Sequence, residues 1–253
     1  MKRLIFKLLF FILFIAFVIM SLVFFMGYMK YKEAIDDKPL KEYISELKEK
    51  NNYTKLSEVP KIYIDAIVAI EDHRFYDHKG VDILSIGRAI IIDLTTKELV
   101  QGGSTITQQL SKNMYFELDK TASRKIAEAI LASELEKNYS KDEILEFYIN
   151  TSYYGDGYYT LKEASRGYFG KEPIDMTDKE ATLLAGVPNA PSVYAPTKNM
   201  DLAKKRQKHV LDSMVKYDYL SQKKADNIFN NWNTNRDRIT LLGDSRNFFI
   251  IIN

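Results

Sequence analysis

The 253-residue chain has no cysteine, one tryptophan and three histidines. Without cysteine, disulfides and thiolate metal sites are excluded. His73 and His78 stand five apart, with no carboxylate in helical register beside them, so a zinc centre is not expected there. An excess of charge of one sign is also missing. Thirty-six Lys and Arg against 34 Asp and Glu leave +2, so the basic excess of a nucleic-acid-binding protein is absent and no nucleic-acid partner is expected. The chain shows neither an internal repeat nor a low-complexity segment.

What the chain does have begins at its N-terminus. Lys2, Arg3 and Lys7 precede an uncharged run from Leu8 to Met29. As a helix, about 22 residues span roughly 33 Å, enough to cross a bilayer core. A cleaved signal peptide would have a shorter apolar region followed by a small-residue site, but this run leads into "GYMKYKEA". The expectation is an uncleaved single-pass anchor, with the basic tip in the cytoplasm and the rest of the chain outside.

The remaining chain is long enough to bury a core as one domain or two lobes. Its composition sets the expected boundaries. Residues 1–29 form the tip and anchor, and the polar residues 30–55 form a juxtamembrane stalk with a short helix near Glu42 to Lys50. Residues 56–220 form the main domain, and 221–253 a tail ending in "RITLLGDSRNFFIIIN", read as a strand or a docking tail. From Lys61 to about Tyr219 apolar residues recur at helical spacing, which predicts a mainly α domain. In "SRKIAEAILASELEKNYSKDEILEFYIN" two helices meet near Asn138 to Lys141, the second capped by Ser140 with Glu143 three residues on. Residues 81–100 are apolar but carry Arg88 and Asp93, too short and too charged for a second span. They read as a core helix, or as one dipping into the outer leaflet beside the anchor.

Three stretches carry candidate chemistry. "YIDAIVAIEDHRFYDHKG" ends an apolar helix at Glu71 and Asp72. A carboxylate there faces the negative end of the macrodipole, a setting that suits a proton acceptor; an ordinary capped helix end remains open. In "GGSTITQQLSKN", Gly102 and Gly103 allow a tight turn, and Thr105 with Gln108 has capping-box spacing. The stretch is not a nucleotide-hydrolase phosphate loop, which needs Gly, four residues, then Gly-Lys-Ser/Thr. Free N–H groups at the helix start, with Lys112 two turns on, would suit an anion, while a plain capped turn is the alternative. In the third stretch Arg124 and Glu128 stand at i,i+4 on a helix apolar on most faces. Glu134 also falls among apolar neighbours, so periodicity does not choose between the two glutamates, and structural ion pairing stays open.

Taken together and in order, "EDHRFYDHKG", "GGSTITQQLSKN", "RKIAEAILASELE", "KDEILEFYIN", "YGDGYYTLKEASRGYFGK" and "EATLLAGVPNAPSVYAP" resemble the signatures of peptidoglycan glycosyltransferases (glycosyltransferase family 51). The resemblance covers about residues 55 to 220. It implies a lysozyme-like helical lobe with a smaller membrane-associated jaw lobe, preceded by the transmembrane helix. The implied activity is polymerisation of lipid II into glycan strands by inverting transfer, with release of polyprenyl pyrophosphate, in cell wall biogenesis. The anion held near residues 102–113 would then be that pyrophosphate.

Carried over residue by residue, Glu71 matches the family's catalytic base and Glu128 its second glutamate. Ser104, Gln108, Lys112, Asn113 and Arg124 match polar residues around the donor phosphates, and Asp72, Phe75, His78 and Thr107 match further substrate-binding positions. Lys120 stands where many members have arginine, which keeps the charge and loses the bidentate fork. No cofactor is implied as required; Mg2+ or Mn2+ shared by Glu71 and Asp72 near a pyrophosphate is the one metal left open. Implied partners are lipid II and polyprenyl-pyrophosphate-linked glycan, membrane lipid, and transpeptidase, divisome or elongation proteins. The implied location is the cell membrane, single-pass, with the catalytic domain extracellular.

Bifunctional relatives append a transpeptidase marked by Ser-x-x-Lys, Ser-x-Asn and Lys-Thr-Gly. "SELK", "SMVK" and "SQKK" occur here in charged helical stretches without Lys-Thr-Gly, so a monofunctional enzyme is expected. The rival readings are a membrane-anchored muramidase or lytic transglycosylase, which needs no phosphate-binding loop, and a non-catalytic scaffold of wall synthesis, which needs neither glutamate.

Overall fold

The computed structural model describes residues 2–88, 103–116, 119, 121–230 and 232. Among the described residues the chain is helical, as its periodicity predicts, and the only strand-like feature is an isolated bridge between Lys79 and Val81. The C-terminal stretch read as a strand or a docking tail, and residues 89–102 of the two stretches discussed above, lie outside the described residues.

Helix α1, Lys2–Asp37, is long and apolar enough to cross a membrane. Its 36 residues would reach about 54 Å at 1.5 Å each, well beyond a bilayer core of about 30 Å. The surplus docks on helix α5, Ala122–Asn138. Tyr31 donates its hydroxyl to Glu134 at 2.6 Å, and Lys30 pairs with Asp119, whose carboxyl that contact and the Thr121 amide hold down at about 2. Gly27 is buried here, and a Cβ on it would lie 2.4 Å from the Ile126 Cβ. Gly27→Leu should therefore overpack the junction by about 1–3 kcal/mol, outweighing the roughly 1 kcal/mol of helix propensity gained by losing glycine. A thermal midpoint of the full chain in detergent that stayed level or rose would place Gly27 outside a tight contact.

The segment expected as a stalk is packed. Helix α2, Leu40–Glu49, buries Leu40, Ile44 and Leu47, which share one face at i, i+4 and i+7, and turns its charged residues outward. Its polar composition hid that stripe. The loop after it is tied to helix α6, Lys141–Ile149, by the reciprocal pair of Thr54 and the cap residue Asn150, each bond 2.8 Å.

Helix α3, Lys61–Glu71, is buried along most of its length and packs against α8, Asp178–Ala185, and α10, Met200–Lys216. Helix α4, Ile106–Ser111, runs into a π-helical turn, Lys112–Phe116, and packs on α5 and α6. Helices α7, Leu161–Phe169, and α9, Pro191–Tyr194, complete the body. Both capping boxes read from the sequence form, Thr105 with Gln108 and Ser140 with Glu143. The core includes Tyr63, Tyr148, Tyr154 and Tyr168, fully buried; the Tyr63 and Tyr154 hydroxyls meet at 2.7 Å.

The tail begins as part of this body. Helix α11, Gln222–Asn230, buries Ala225 and Ile228 and packs on α10. Trp232 donates its indole N–H to Gln207 at 2.7 Å, with the Lys179 and Lys204 ammonium groups each 4.6 Å from its ring centroid. Asp82 caps a helical stretch that starts at Ile83, accepting from the Leu84 and Ser85 amides. Ile83 and Leu84 are exposed there, and the residues beyond Arg88 that would decide between core and leaflet are not described.

Candidate active site

Glu71 is the last residue of α3, at the point where Asp72 turns the backbone out of the helix. The apolar body of α3 is fixed in the core, so the carboxylate is delivered to a set place with its side chain only 7% exposed. Each oxygen has one donor. Oε1 accepts from Arg206 Nη2 at 3.0 Å, and Oε2 accepts from Gln109 Nε2 at 2.9 Å. The Gln109 amide is in turn oriented by the Tyr148 hydroxyl, which donates to its Oε1 at 3.2 Å. Burial, then the Glu71 charge, pushes the Tyr148 hydroxyl well above its ordinary range, so it remains a neutral donor.

Glu128, on α5, is completely buried between two cations of its own helix. Lys125 reaches Oε2 at 2.6 Å and the Ser104 hydroxyl at 3.0 Å, tying α5 to the start of the Gly-Ser-Thr turn. Arg124 Nε lies 3.0 Å from Oε1, an ionic contact by distance. Its direction is poor for a hydrogen bond, so both atoms stay without a hydrogen-bond partner. An acceptor of Glu128 is therefore left unmet in the wall of the site.

The two glutamates share one open cavity of about 490 Å³. Its lining also holds Ser104, Gln109, Lys112, Arg124, Lys125, Asn189, Tyr194 and Arg206. Four cations against two carboxylates leave the walls net positive, so the cavity favours an anion. A smaller cavity of about 170 Å³ adjoins it through Gln109, Lys112, Pro188 and Asn189, and adds Asn113, Ser152 and Tyr153.

Of the residues singled out in the sequence, Glu71, Ser104, Lys112, Arg124 and Glu128 thus come together, with Asn113 next door. The other described ones stand behind the wall rather than in its lining. Phe75 is fully buried under the Lys141 ammonium, 4.4 Å from its ring centroid. Asp72 is buried against His78 Nε2 at 2.8 Å, and the Thr107 hydroxyl donates to Glu136 at 2.7 Å. Gln108 is taken up by the capping box. Lys120 lies outside the described residues.

The anion site at the start of α4 is corrected. Ile106 N–H donates to Asp72 Oδ2 at 3.0 Å, Thr105 N–H to Gln108 Oε1 and Gln108 N–H to Thr105 Oγ1, both at 3.1 Å. Asp72 is itself the anion at this helix start. An external anion has the side-chain cations instead.

Sequence reasoning missed Gln109, Lys125, Asn189, Tyr194 and Arg206. Lys125 carried a signal, as the i,i+3 neighbour of Glu128. Arg206 carried none, because in "AKKRQKH" it reads as one more charge on a solvated face. A divalent ion shared by Glu71 and Asp72 does not fit these surroundings. Glu71 is flanked by N–H donors, Asp72 does not line the cavity, and among the described residues no group of three His, Asp or Glu gathers as a metal centre.

A family model described as Transglycosylase matches residues 36–215. The chain belongs to the transglycosylase family. This transglycosylase is 50% identical over 180 residues to penicillin-binding protein 2D of Bacillus subtilis (strain 168), covering 71% of this chain and 26% of that protein. It is 46% identical over 170 residues to penicillin-binding protein 1F of the same organism, covering 67% and 24%. With penicillin-binding protein 1A of Neisseria lactamica it shares 40% over 182 residues, covering 72% and 23%. The chain thus spans about a quarter of the length of these relatives. A crystal structure of penicillin-binding protein 1A from Haemophilus influenzae aligns with 72% of this chain and 18% of its own at 21% identity, with a TM-score of 0.43, too slight a likeness to argue from. The transglycosylase match takes in α2, the supposed stalk, and reaches into α10 as far as Arg206 and beyond.

Proposed function

We propose that this chain is a peptidoglycan glycosyltransferase that extends glycan strands from lipid II. One observation carries the reading: a fully buried carboxylate, a nearly enclosed one and an excess of cations line a single cavity. In the proposed reaction Glu71 takes the proton of the acceptor's N-acetylglucosamine 4-hydroxyl as that oxygen bonds to the donor's anomeric carbon. The bond from that carbon to the pyrophosphate oxygen breaks on the opposite face, so configuration inverts and polyprenyl pyrophosphate leaves with the bonding electrons. Lys112, Arg124 and Lys125 face the charge that grows on the leaving group. Glu128 holds the last two of these in place.

The anchor supports a lipid-linked substrate. Helix α1 docks on α5, which also carries Glu128, so the cavity is tied to the place where the chain enters the bilayer. In this reading the N-terminal tip is cytoplasmic and the cavity faces the outside. Cleavage of glycan is the weaker reading, because the bond it breaks has no phosphate leaving group for these cations to face.

Labelled lipid II incubated with the purified full chain in detergent should yield polymer and free polyprenyl pyrophosphate. Release of fragments from preformed glycan, without polymer, would instead establish a lytic enzyme. Lys112→Ala should weaken use of lipid II roughly ten- to a hundredfold, since a charge-assisted contact to phosphate is worth about 1.5–3 kcal/mol. Unchanged kinetics in that variant would take Lys112 out of the donor site.

A further inference from the structure

We propose that Arg206 is a positioning residue for Glu71, and that Gly186 provides the space in which it does so. The inference rests on the reading of Glu71 as the base and assigns a residue that this reading does not need for proton balance. Arg206 comes from α10, 135 positions further along the chain, yet its Nη2 donates to Glu71 Oε1 at 3.0 Å. Both side chains are nearly enclosed, at 13% and 7% exposed, so solvent neither replaces nor screens the contact as it would on the surface. The guanidinium is itself held. Its Nε donates to the Gly186 carbonyl at 3.3 Å, and its carbon lies 5.9 Å from the Tyr194 ring centroid.

With Arg206 on one oxygen and Gln109 on the other, the Glu71 carboxyl plane cannot rotate freely. A carboxylate has about four lone-pair sites, so two donors leave capacity for a substrate hydroxyl while setting the direction from which it is accepted. General-base catalysis depends on that direction, because a misplacement of about 1 Å can cost roughly a hundredfold. Gly186 explains how the arginine is seated. A Cβ there would stand 2.8 Å from Arg206 Cγ and 3.3 Å from Val210 Cγ2. Its backbone, at φ −81 and ψ −17, is open to any residue, so what requires glycine is the arginine stem.

The test uses the full chain in detergent with labelled lipid II, comparing Arg206→Ala, Arg206→Lys and Gly186→Ala. Positioning predicts a fall in kcat of roughly ten- to a hundredfold for Arg206→Ala, with KM held within about threefold. Arg206→Lys should recover only part of the loss, because a single ammonium cannot serve Glu71 and Gly186 together. Gly186→Ala should lower kcat in the same way while leaving the charge in the protein. In a Glu71→Gln background, Arg206→Ala should have no further effect on the residual rate, since it acts through the carboxylate. An unchanged kcat in Arg206→Ala, a loss carried by KM alone, or additive losses in the double variant would each overturn the inference. Should Arg206→Ala fail to fold, Gly186→Ala decides alone: normal kcat in that variant rejects the role. Failure of the base reading looks different, because Glu71→Gln would then keep its turnover.

Discussion

Glu71→Gln should lower polymerisation of lipid II by about 10²- to 10⁴-fold, the range that general-base catalysis supplies. The amide keeps the size of the carboxylate but cannot take the proton. It also breaks the local pattern, since Arg206 and Gln109 both donate toward Glu71, and an amide presents only one acceptor oxygen. One donor is then left facing an NH2 group, which should cost about 1–3 kcal/mol of stability in this enclosed setting. Binding of lipid II should survive, because Lys112, Arg124 and Lys125 are untouched. Rates with saturating substrate, together with a binding isotherm, separate the two effects. Near-normal polymer synthesis by the folded variant would sink the mechanism, whatever family the chain belongs to.

The second large effect is expected at Glu128, and it falls on stability as well as rate. This carboxylate is fully buried and carries the ionic contacts of both Arg124 and Lys125. Breaking a buried pair from one side costs about 3–5 kcal/mol, mostly through the charge left behind. Here the stranded groups are cations at 22% and 48% side-chain exposure, able to turn toward water, so the lower end of that range applies to Glu128→Ala. The shift in thermal midpoint should be clear, and Glu128→Gln should restore part of it by keeping an acceptor. Turnover should fall in both, with a larger effect on engagement of lipid II than Glu71→Gln shows, because both displaced cations line the donor side. A Glu128→Ala protein with the parental midpoint and the parental KM would show that the ion triad holds neither fold nor substrate.

Much of the architecture was legible along the chain because it depends on near neighbours. The uncharged run from Leu8 to Met29 makes a helix in any apolar setting, and α1 contains it whole. Ser140 with Glu143 and Thr105 with Gln108 close their capping boxes across three residues. The composition of residues 30–55 misled, because an average over the segment hid the stripe of Leu40, Ile44 and Leu47. Half of the candidate site was legible only as residue types in suggestive places.

What the sequence alone determined was therefore the long apolar N-terminal helix, the helical class, a few capped helix ends and the presence of two eligible glutamates within α5. Periodicity did not choose between those two; the family resemblance pointed to Glu128, and the packed structure shows what separates them. Glu134 faces the membrane helix and accepts from Tyr31, while Glu128 faces the cavity with Glu71. The same holds for Asp72, which fills the start of α4 from 34 residues away, and for Glu71, whose donors stand 38 and 135 residues distant. Caps and helical stripes are settled within one or two turns, where chain geometry limits the partners to a few. A buried charge can meet its partner from anywhere in the chain, and only the packing of α3 against α10, and of α1 against α5, decides which one arrives.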